Sequence, residues 1–344
     1  MQGKMGEVKR KTLYFTAPGQ VELREETLPE LGAEEVLVET VCSAISAGTE
    51  MLVYQGRFPQ DMETDSVISS LRGSLEYPLA YGYACVGKIK ETGSQVDKSI
   101  CDQLVFAFQP HTSHFIANPN SLFLIPDSLS PEAACFLPNM ETAVNLVQDA
   151  APIFGECVLV LGQGVVGLLT ASLLSEFPLE TLVTADCFEL RRNSSPVPQR
   201  SSLDPYSPNF HKEAMRLLNG SADLTFELSG RPETLNDALA ITGYSGRIII
   251  GSWYGEKRAE IDLGGAFHRS RIKLISSQVS TVAPELSGRW NKARRFDTAW
   301  KALERIKPEK WITHRFFIDH AKEAYRLLDE NPQEAIQIVF DYKS

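Results

Sequence analysis

The sequence of 344 residues has no two cysteines at C-x-x-C spacing; its six are Cys42, Cys85, Cys101, Cys135, Cys157 and Cys187. That excludes a zinc ribbon and a thioredoxin-type motif, and leaves buried free thiols in a reducing compartment as the expectation. No run approaches the roughly 18 apolar residues of a membrane span. The opening MQGKMGEVKRKTLYF is charged and lacks an apolar h-region, so no signal peptide is expected and a cytoplasmic protein is the default. An excess of positive charge is missing too. Lys and Arg number 34 against 44 Asp and Glu, a net charge of −10, which argues against nucleic acid as a partner. What is present is ordinary for a soluble globular protein, 43% hydrophobic and 23% charged, on a chain long enough for two domains.

Residues 12–125 read as short strands between turn signals: Thr12–Phe15, Val21–Leu23, Glu35–Val41, Leu104–Phe108 and His114–Ala117, with Pro18-Gly19, Gly56, Gly73 and Gly93 among the punctuation. A compact β-rich domain with a curled, barrel-like sheet is expected there. From Pro131 to Ala150 the spacing turns helical. Strands and helices then alternate: strand Cys157–Leu161, helix Val165–Leu174, strand Leu182–Ala185, helix His211–Leu218, strand Leu224–Leu228, helix Glu233–Ile241, strand Arg247–Gly251, strand Ile272–Ser276. That alternation predicts an α/β domain with a doubly wound parallel sheet. Arg191–Phe210, rich in proline and serine, predicts an irregular connection with a weak or absent third strand. After about residue 279 the chain is mixed, ending in a helix, Ala321–Leu328, and a strand, Ala335–Tyr342.

The sharpest local signal is VLVLGQGVVGLLTASLL. Gly162, Gly164 and Gly167 form a G-x-G-x-x-G triplet, filled by Gln163, Val165 and Val166, between an apolar strand and an apolar helix. The first glycine allows the tight turn and the second lets backbone N–H groups approach a pyrophosphate. The third permits close packing of helix on strand. Asp186 ends the second strand, where a carboxylate can accept both hydroxyls of an adenine ribose and repels a 2′-phosphate. This favours NAD(H) over NADP(H). Arg191 can lie over the same ribose; together with Arg192 it can instead compensate a 2′-phosphate.

Four landmarks follow one another along the chain: Glu35-Val36-Leu37-Val38, the segment Pro78 to Gly87, the glycine loop, and Leu228-Ser229-Gly230 followed by Gly246 to Gly251. Their order resembles the medium-chain dehydrogenase/reductase superfamily, which includes alcohol dehydrogenases and quinone reductases. The resemblance implies a GroES-like catalytic domain over 1–138 and 279–344 and a Rossmann domain over 139–278. Zinc-dependent members keep ligands where this chain has Ser46, Tyr83 and Pro138, and a four-cysteine zinc lobe that is absent here. None of the three is a good Zn²⁺ ligand, so a zinc-independent member is implied. Glu50 with His111 or His114 is the alternative metal set. Locally, Ser46-Ala47-Gly48-Thr49-Glu50 followed by Tyr54-Gln55-Gly56-Arg57 is similar to the branch containing bacteriochlorophyllide a dehydrogenase.

What the resemblance implies is hydride transfer between nicotinamide and a small-molecule secondary alcohol or ketone, in a cleft between the domains. Conjugated C=C reduction of the enoyl or quinone reductase type, and a non-catalytic redox sensor, stand as alternatives. Without a metal, hydrogen-bond donors and a proton source must manage charge on the substrate oxygen. Thr49, Glu50 and Tyr83 are the candidates for that work. Thr142, Ser229, Gly251 and Trp253 are placed by the resemblance around the ribose and the nicotinamide. His268, Arg269 and Arg271 are a candidate site for a substrate carboxylate or phosphate. Arg289, Lys292, Arg294 and Arg295 read as a solvated helix face. A homodimer joined through the edges of the nucleotide-binding sheets, near Arg247–Gly251 and the segment up to Ser276, is a further implication.

Overall fold

The computed structural model describes residues 9–59 and 76–343; Gly73 and the opening residues 1–8 of the sequence reading lie outside them. The chain divides into two units, Met1–Pro138 with Ile312–Ser344, and Asn139–Trp311.

The first unit contains β1 (Lys9–Ala17), β2 (Gln20–Thr27), β3 (Val36–Ala44), α1 (Ala47–Tyr54), β4 (Leu79–Ala80), β5 (Cys85–Thr92), β6 (Leu104–Ala107), β7 (His114–Ala117), β8 (Phe123–Leu124) and α2 (Pro131–Ala134). These strands make a three-stranded sheet ordered β2-β1-β4, and a seven-stranded sheet that the end of the chain completes. Alternation drives them: along β3 and β5 buried Val36, Val38, Cys85 and Ile89 face Val105, Ala107, Phe115 and Ala117 in one apolar cluster.

From its third residue on, α3 (Leu137–Ala150) belongs to the second unit. The sequence reading had one helix over Pro131–Ala150; the structure breaks it before Leu137, which places Pro138 in the first turn of α3, where its missing N–H costs nothing. There follow β9 (Cys157–Leu161), α4 (Val165–Leu174), β10 (Thr181–Ala185), α5 (Glu189–Ser194), β11 (Ser202–Leu203), α6 (Phe210–Leu217), β12 (Ala222–Glu227), α7 (Thr234–Ile241), β13 (Thr242–Ile250), β14 (Lys273–Ser276) and α8 (Lys292–Ile306). The six strands are all parallel, in the order β11-β10-β9-β12-β13-β14. β9 is CVLVL, buried at every position, the continuous apolar run of a strand covered on both faces. The weak third strand is the two-residue β11 at one edge.

Two expectations need correction. The chain returns to the first unit at Ile312, not near residue 279, because α8 packs against α4. Phe296, Ala299, Trp300, Leu303 and Ile306 form its buried stripe. And Arg295, assigned above to a solvated face, is completely buried. After α8 come β15 (Ile312–Phe317), α9 (Ala321–Glu330) and β16 (Gln337–Asp341), with β16 pairing antiparallel to β3 in the first unit.

Candidate coenzyme cradle and hydroxyl cluster

At the carboxyl end of β9 the chain turns sharply into α4. Gly162 has φ +96°, and a Cβ there would lie 2.5 Å from the Leu228 carbonyl oxygen. A Cβ on Gly167 would lie 2.0 Å from the Gly162 oxygen. Both positions therefore require glycine, the first for conformation and approach, the third for packing. Gly164 differs. It is the N-cap of α4 in ordinary extended backbone, φ −66° and ψ −176°, and nothing stands within 4 Å of where its Cβ would be. Among the described residues no side chain caps that helix end. Gly164, Val165 and Val166 are partly exposed while Gly162, Gln163 and Gly167 are buried. The result is a shallow seat at the N-terminus of a ten-residue helix, whose first N–H groups have no intrahelical acceptor. Gln163 braces it: its Nε2 donates to the Gly162 oxygen at 2.9 Å, and its buried Oε1 has no hydrogen-bond partner.

Asp186 stands at the end of β10, beside this loop, and is 6% exposed. Its Oδ2 accepts the Gln163 N–H at 2.7 Å and its Oδ1 accepts the Phe188 N–H at 2.8 Å. Two of its roughly four acceptor sites are thus taken by the turns it joins. Arg191 lies over the Phe188 ring, 4.8 Å from its centroid. Arg192 donates to the carbonyls of Asp186 and Cys187, so it buttresses the turn.

The next strand ends continue the line. Glu227, buried at the end of β12, accepts from the Ser229 N–H at 2.9 Å, from the Ser229 hydroxyl, and from the Tyr254 hydroxyl at 2.5 Å. Burial first, then the Glu227 carboxylate, raises the Tyr254 phenol above its ordinary range. Gly251 follows β13; a Cβ there would meet Leu146 and Leu228 at 2.6 Å. Trp253 and Thr142 are each half-buried, Thr142 on α3. Loop, Asp186, Ser229 and Gly251 thus all lie at the carboxyl ends of the parallel strands, where open α/β sheets bind ligands. His268, Arg269 and Arg271 do not. They precede Lys273, the first residue of β14, and so sit at the opposite end of the sheet. The anion-site expectation for them is corrected on that geometry.

In the first unit, α1 places Thr49 and Glu50 beside Ser46, its N-cap residue. The Tyr83 hydroxyl donates to Ser46 Oγ and lies 3.2 Å from Thr49 Oγ1. Tyr83 and Thr49 are partly exposed, so the three hydroxyls form a cluster with an open side. Glu50 turns away from them and is fully buried. Its Oε1 accepts the Ser46 N–H at 2.7 Å, and its Oε2 accepts His111 Nε2 at 3.0 Å and the Tyr325 hydroxyl at 2.5 Å. His111 Nδ1 lies 2.7 Å from Ser43 Oγ, which lies 2.7 Å from the Tyr342 hydroxyl. His114 is on β7 opposite Glu39 and does not join Glu50. Burial lowers its pKa, against the pull of Glu39.

No family model matches the chain. The starvation-sensing protein RspB of Escherichia coli (strain K12) is 19% identical over 370 residues, covering 96% of this chain and 99% of that protein. A crystal structure of a short chain alcohol dehydrogenase (rspB) from E. coli CFT073, complexed with NADH, superposes with a TM-score of 0.76 at 18% identity, covering 97% and 99%. A provisionally named zinc-binding dehydrogenase of Sinorhizobium meliloti 1021, bound to NADP, superposes at 0.75 and 18% identity, covering 97% and 100%. The chain has the fold of these alcohol dehydrogenases.

Whether zinc fits this chain depends on its donor set. Ser46 and Tyr83, the positions at which the sequence departs from zinc ligands, do meet in space, but as a hydroxyl pair. Pro138 offers no donor. Among the described residues no group of three or more His, Cys, Asp or Glu side chains is placed to hold a metal. Neutral hydroxyls are poor Zn²⁺ ligands, so these residues do not fit the ion.

Sequence reading missed Glu227 and the full set of partners of Glu50. The signal for Glu227 is its place two residues before Ser229 at a strand end. For Tyr325 and Tyr342, nearly three hundred residues from α1, the sequence carries no signal.

Proposed function

We propose that this chain is a zinc-independent, NAD(P)-dependent oxidoreductase that transfers a hydride between nicotinamide and a secondary alcohol or ketone. The cradle carries the reading: Gly162 and Gly167 are forced by backbone contacts, whereas Gly164 faces open space at an uncapped helix end. The orphan Oε1 of Gln163 beside it fits a site completed by a bound group. Gln163, Gly164, Val165 and Val166 would hold the pyrophosphate. The two remaining acceptor sites of Asp186 suit ribose hydroxyls, which favours NAD(H), with Arg191 alongside. Thr142, Ser229, Gly251 and Trp253 would flank the nicotinamide ribose and ring. The bound coenzyme supplies the hydride chemistry.

On the substrate side, Tyr83 is the proton donor and acceptor, with its phenol held by Ser46 and Thr49. Glu50 serves as a positioning residue that fixes Ser46 and His111. The free cysteines suit a cytoplasmic setting. β14, the edge of the parallel sheet, is the strand we expect a homodimer to join; β13, also named above, is flanked on both sides by β12 and β14. The local likeness to the bacteriochlorophyllide a dehydrogenase branch is kept as a branch marker.

The deciding experiment uses protein dialysed against a strong chelator. It is titrated with NADH and NADPH, then offered ketone and enone probes. We expect tighter binding of NADH and ketone reduction at the rate seen before dialysis. Activity lost on chelation and restored by zinc would overturn the metal-free reading. Turnover of the enone alone would transfer the assignment to C=C reduction, and binding with no turnover would indicate a sensor. Tyr83→Phe should lower kcat about 100-fold, the order a positioned proton donor contributes. NADH affinity should be unchanged in the same titration.

A further inference from the structure

Arg295 is the largest completely buried side chain among those described, and it carries a charge. Its guanidinium reaches two segments of the second unit, α3 and residues 279–281. Nε and Nη2 donate to Glu141 Oε1 on α3, at 3.1 and 2.8 Å. Nη1 donates to Asn145 Oδ1, also on α3, and to the Thr281 carbonyl at 3.0 Å. Nη2 donates to the Val279 carbonyl. All five of its donors thereby have acceptors. The network extends outward: Asn145 Nδ2 donates to Ser277 Oγ and to Asp149, each at 2.9 Å, and Ser277 Oγ donates to Asp149 at 2.6 Å. Lys292 lies 3.6 Å from Glu141. Burial raises the Glu141 pKa despite both cations.

A buried ion pair is a costly way to hold helices together; apolar residues of like volume commonly do as well or better. What this one adds is direction. It grips two carbonyls of the segment 277–281, which leaves the carboxyl end of β14, and Ser277 N–H donates to the Ile250 carbonyl one strand over. Strand ends along the sheet carry, in order, Asp186, the glycine loop, Ser229, Gly251 and then this segment. From β10 to β14 that is four strand spacings, about 19 Å. If the pyrophosphate sits on the loop and the adenosine over Asp186, the other half of the dinucleotide runs toward β13 and β14. Arg295 also grips the helix turn next to Thr142.

We infer that Arg295 is a positioning residue for the nicotinamide half of the coenzyme, fixing segment 277–281 and α3 on either side of it through Glu141 and Asn145. This rests on the proposed coenzyme reading. The test measures NADH and ADP-ribose affinities side by side, since ADP-ribose lacks the nicotinamide. In Arg295→Met, NADH should bind about tenfold more weakly while ADP-ribose binds within twofold of wild type. Arg295→Lys, which keeps the charge and fewer donors, should fall between. Glu141→Gln should show the same split more weakly, and it stands in if Arg295→Met fails to fold. Equal losses for both ligands, or no loss for either, would overturn the inference. A wild type that binds neither would instead sink the coenzyme reading itself.

Discussion

Gly164→Asp is expected to fold as well as the wild type and to lose at least a hundredfold in NADH affinity, some 2.7 kcal/mol. The two effects separate because Gly164 is the helix N-cap, in extended backbone with open space at its Cβ position. Aspartate is a preferred N-cap residue, worth a few tenths of a kcal/mol over glycine. Its carboxylate would satisfy the N–H groups and occupy the charge site of a pyrophosphate. Thermal melts with isothermal titration on the same samples check it. Retained NADH binding in a folded Gly164→Asp protein would show that the pyrophosphate does not sit at α4.

The second large effect concerns Glu50. Glu50→Ala removes the acceptor of three donors, the Ser46 N–H, His111 and the Tyr325 hydroxyl, all in the interior of the first unit. Removing one member of a buried charged network costs about 3–5 kcal/mol, because the remaining polar groups stay buried without partners. At this chain length we expect the melting temperature to fall on the order of 10 °C. Glu50→Gln keeps an acceptor oxygen and should lose about half as much. A melting temperature within 2 °C of wild type in Glu50→Ala, with activity abolished, would return Glu50 to the proton-transfer role first given it.

The parallel sheet was legible in the sequence because its central strand β9 is apolar along its whole length, β10, β12 and β13 carry apolar stretches, and the turn after β9 carries glycine. β9 and α4 fall at the residues where their apolar runs begin and end. Boundaries elsewhere moved where tertiary pairing extended a strand: β3 runs on to Ala44 because β16, from the end of the chain, pairs with it there. Arg295 shows how charge misleads. It sits four residues before Ala299, eight before Leu303 and eleven before Ile306, on the buried stripe of α8. Read by periodicity it belongs inside; read by residue type it belongs outside, and Glu141, 154 residues earlier, decides the matter. The hydroxyl cluster was half legible. Ser46, Thr49 and Tyr83 could each be named, but that Tyr83 donates to Ser46 while Glu50 faces the core depends on β3, α1 and the chain around Tyr83 coming together.

The glycine turn is held from three directions at once: the Asp186 carboxylate takes the Gln163 N–H, the Gly162 carbonyl abuts Gly167, and the Leu228 carbonyl abuts Gly162. Such a turn has little freedom left to surrender. The entropy of ordering it is met when the domain folds, not when a ligand arrives. A dinucleotide should therefore associate in a single fast phase set by encounter, with affinity differences among analogues showing up in how quickly they leave.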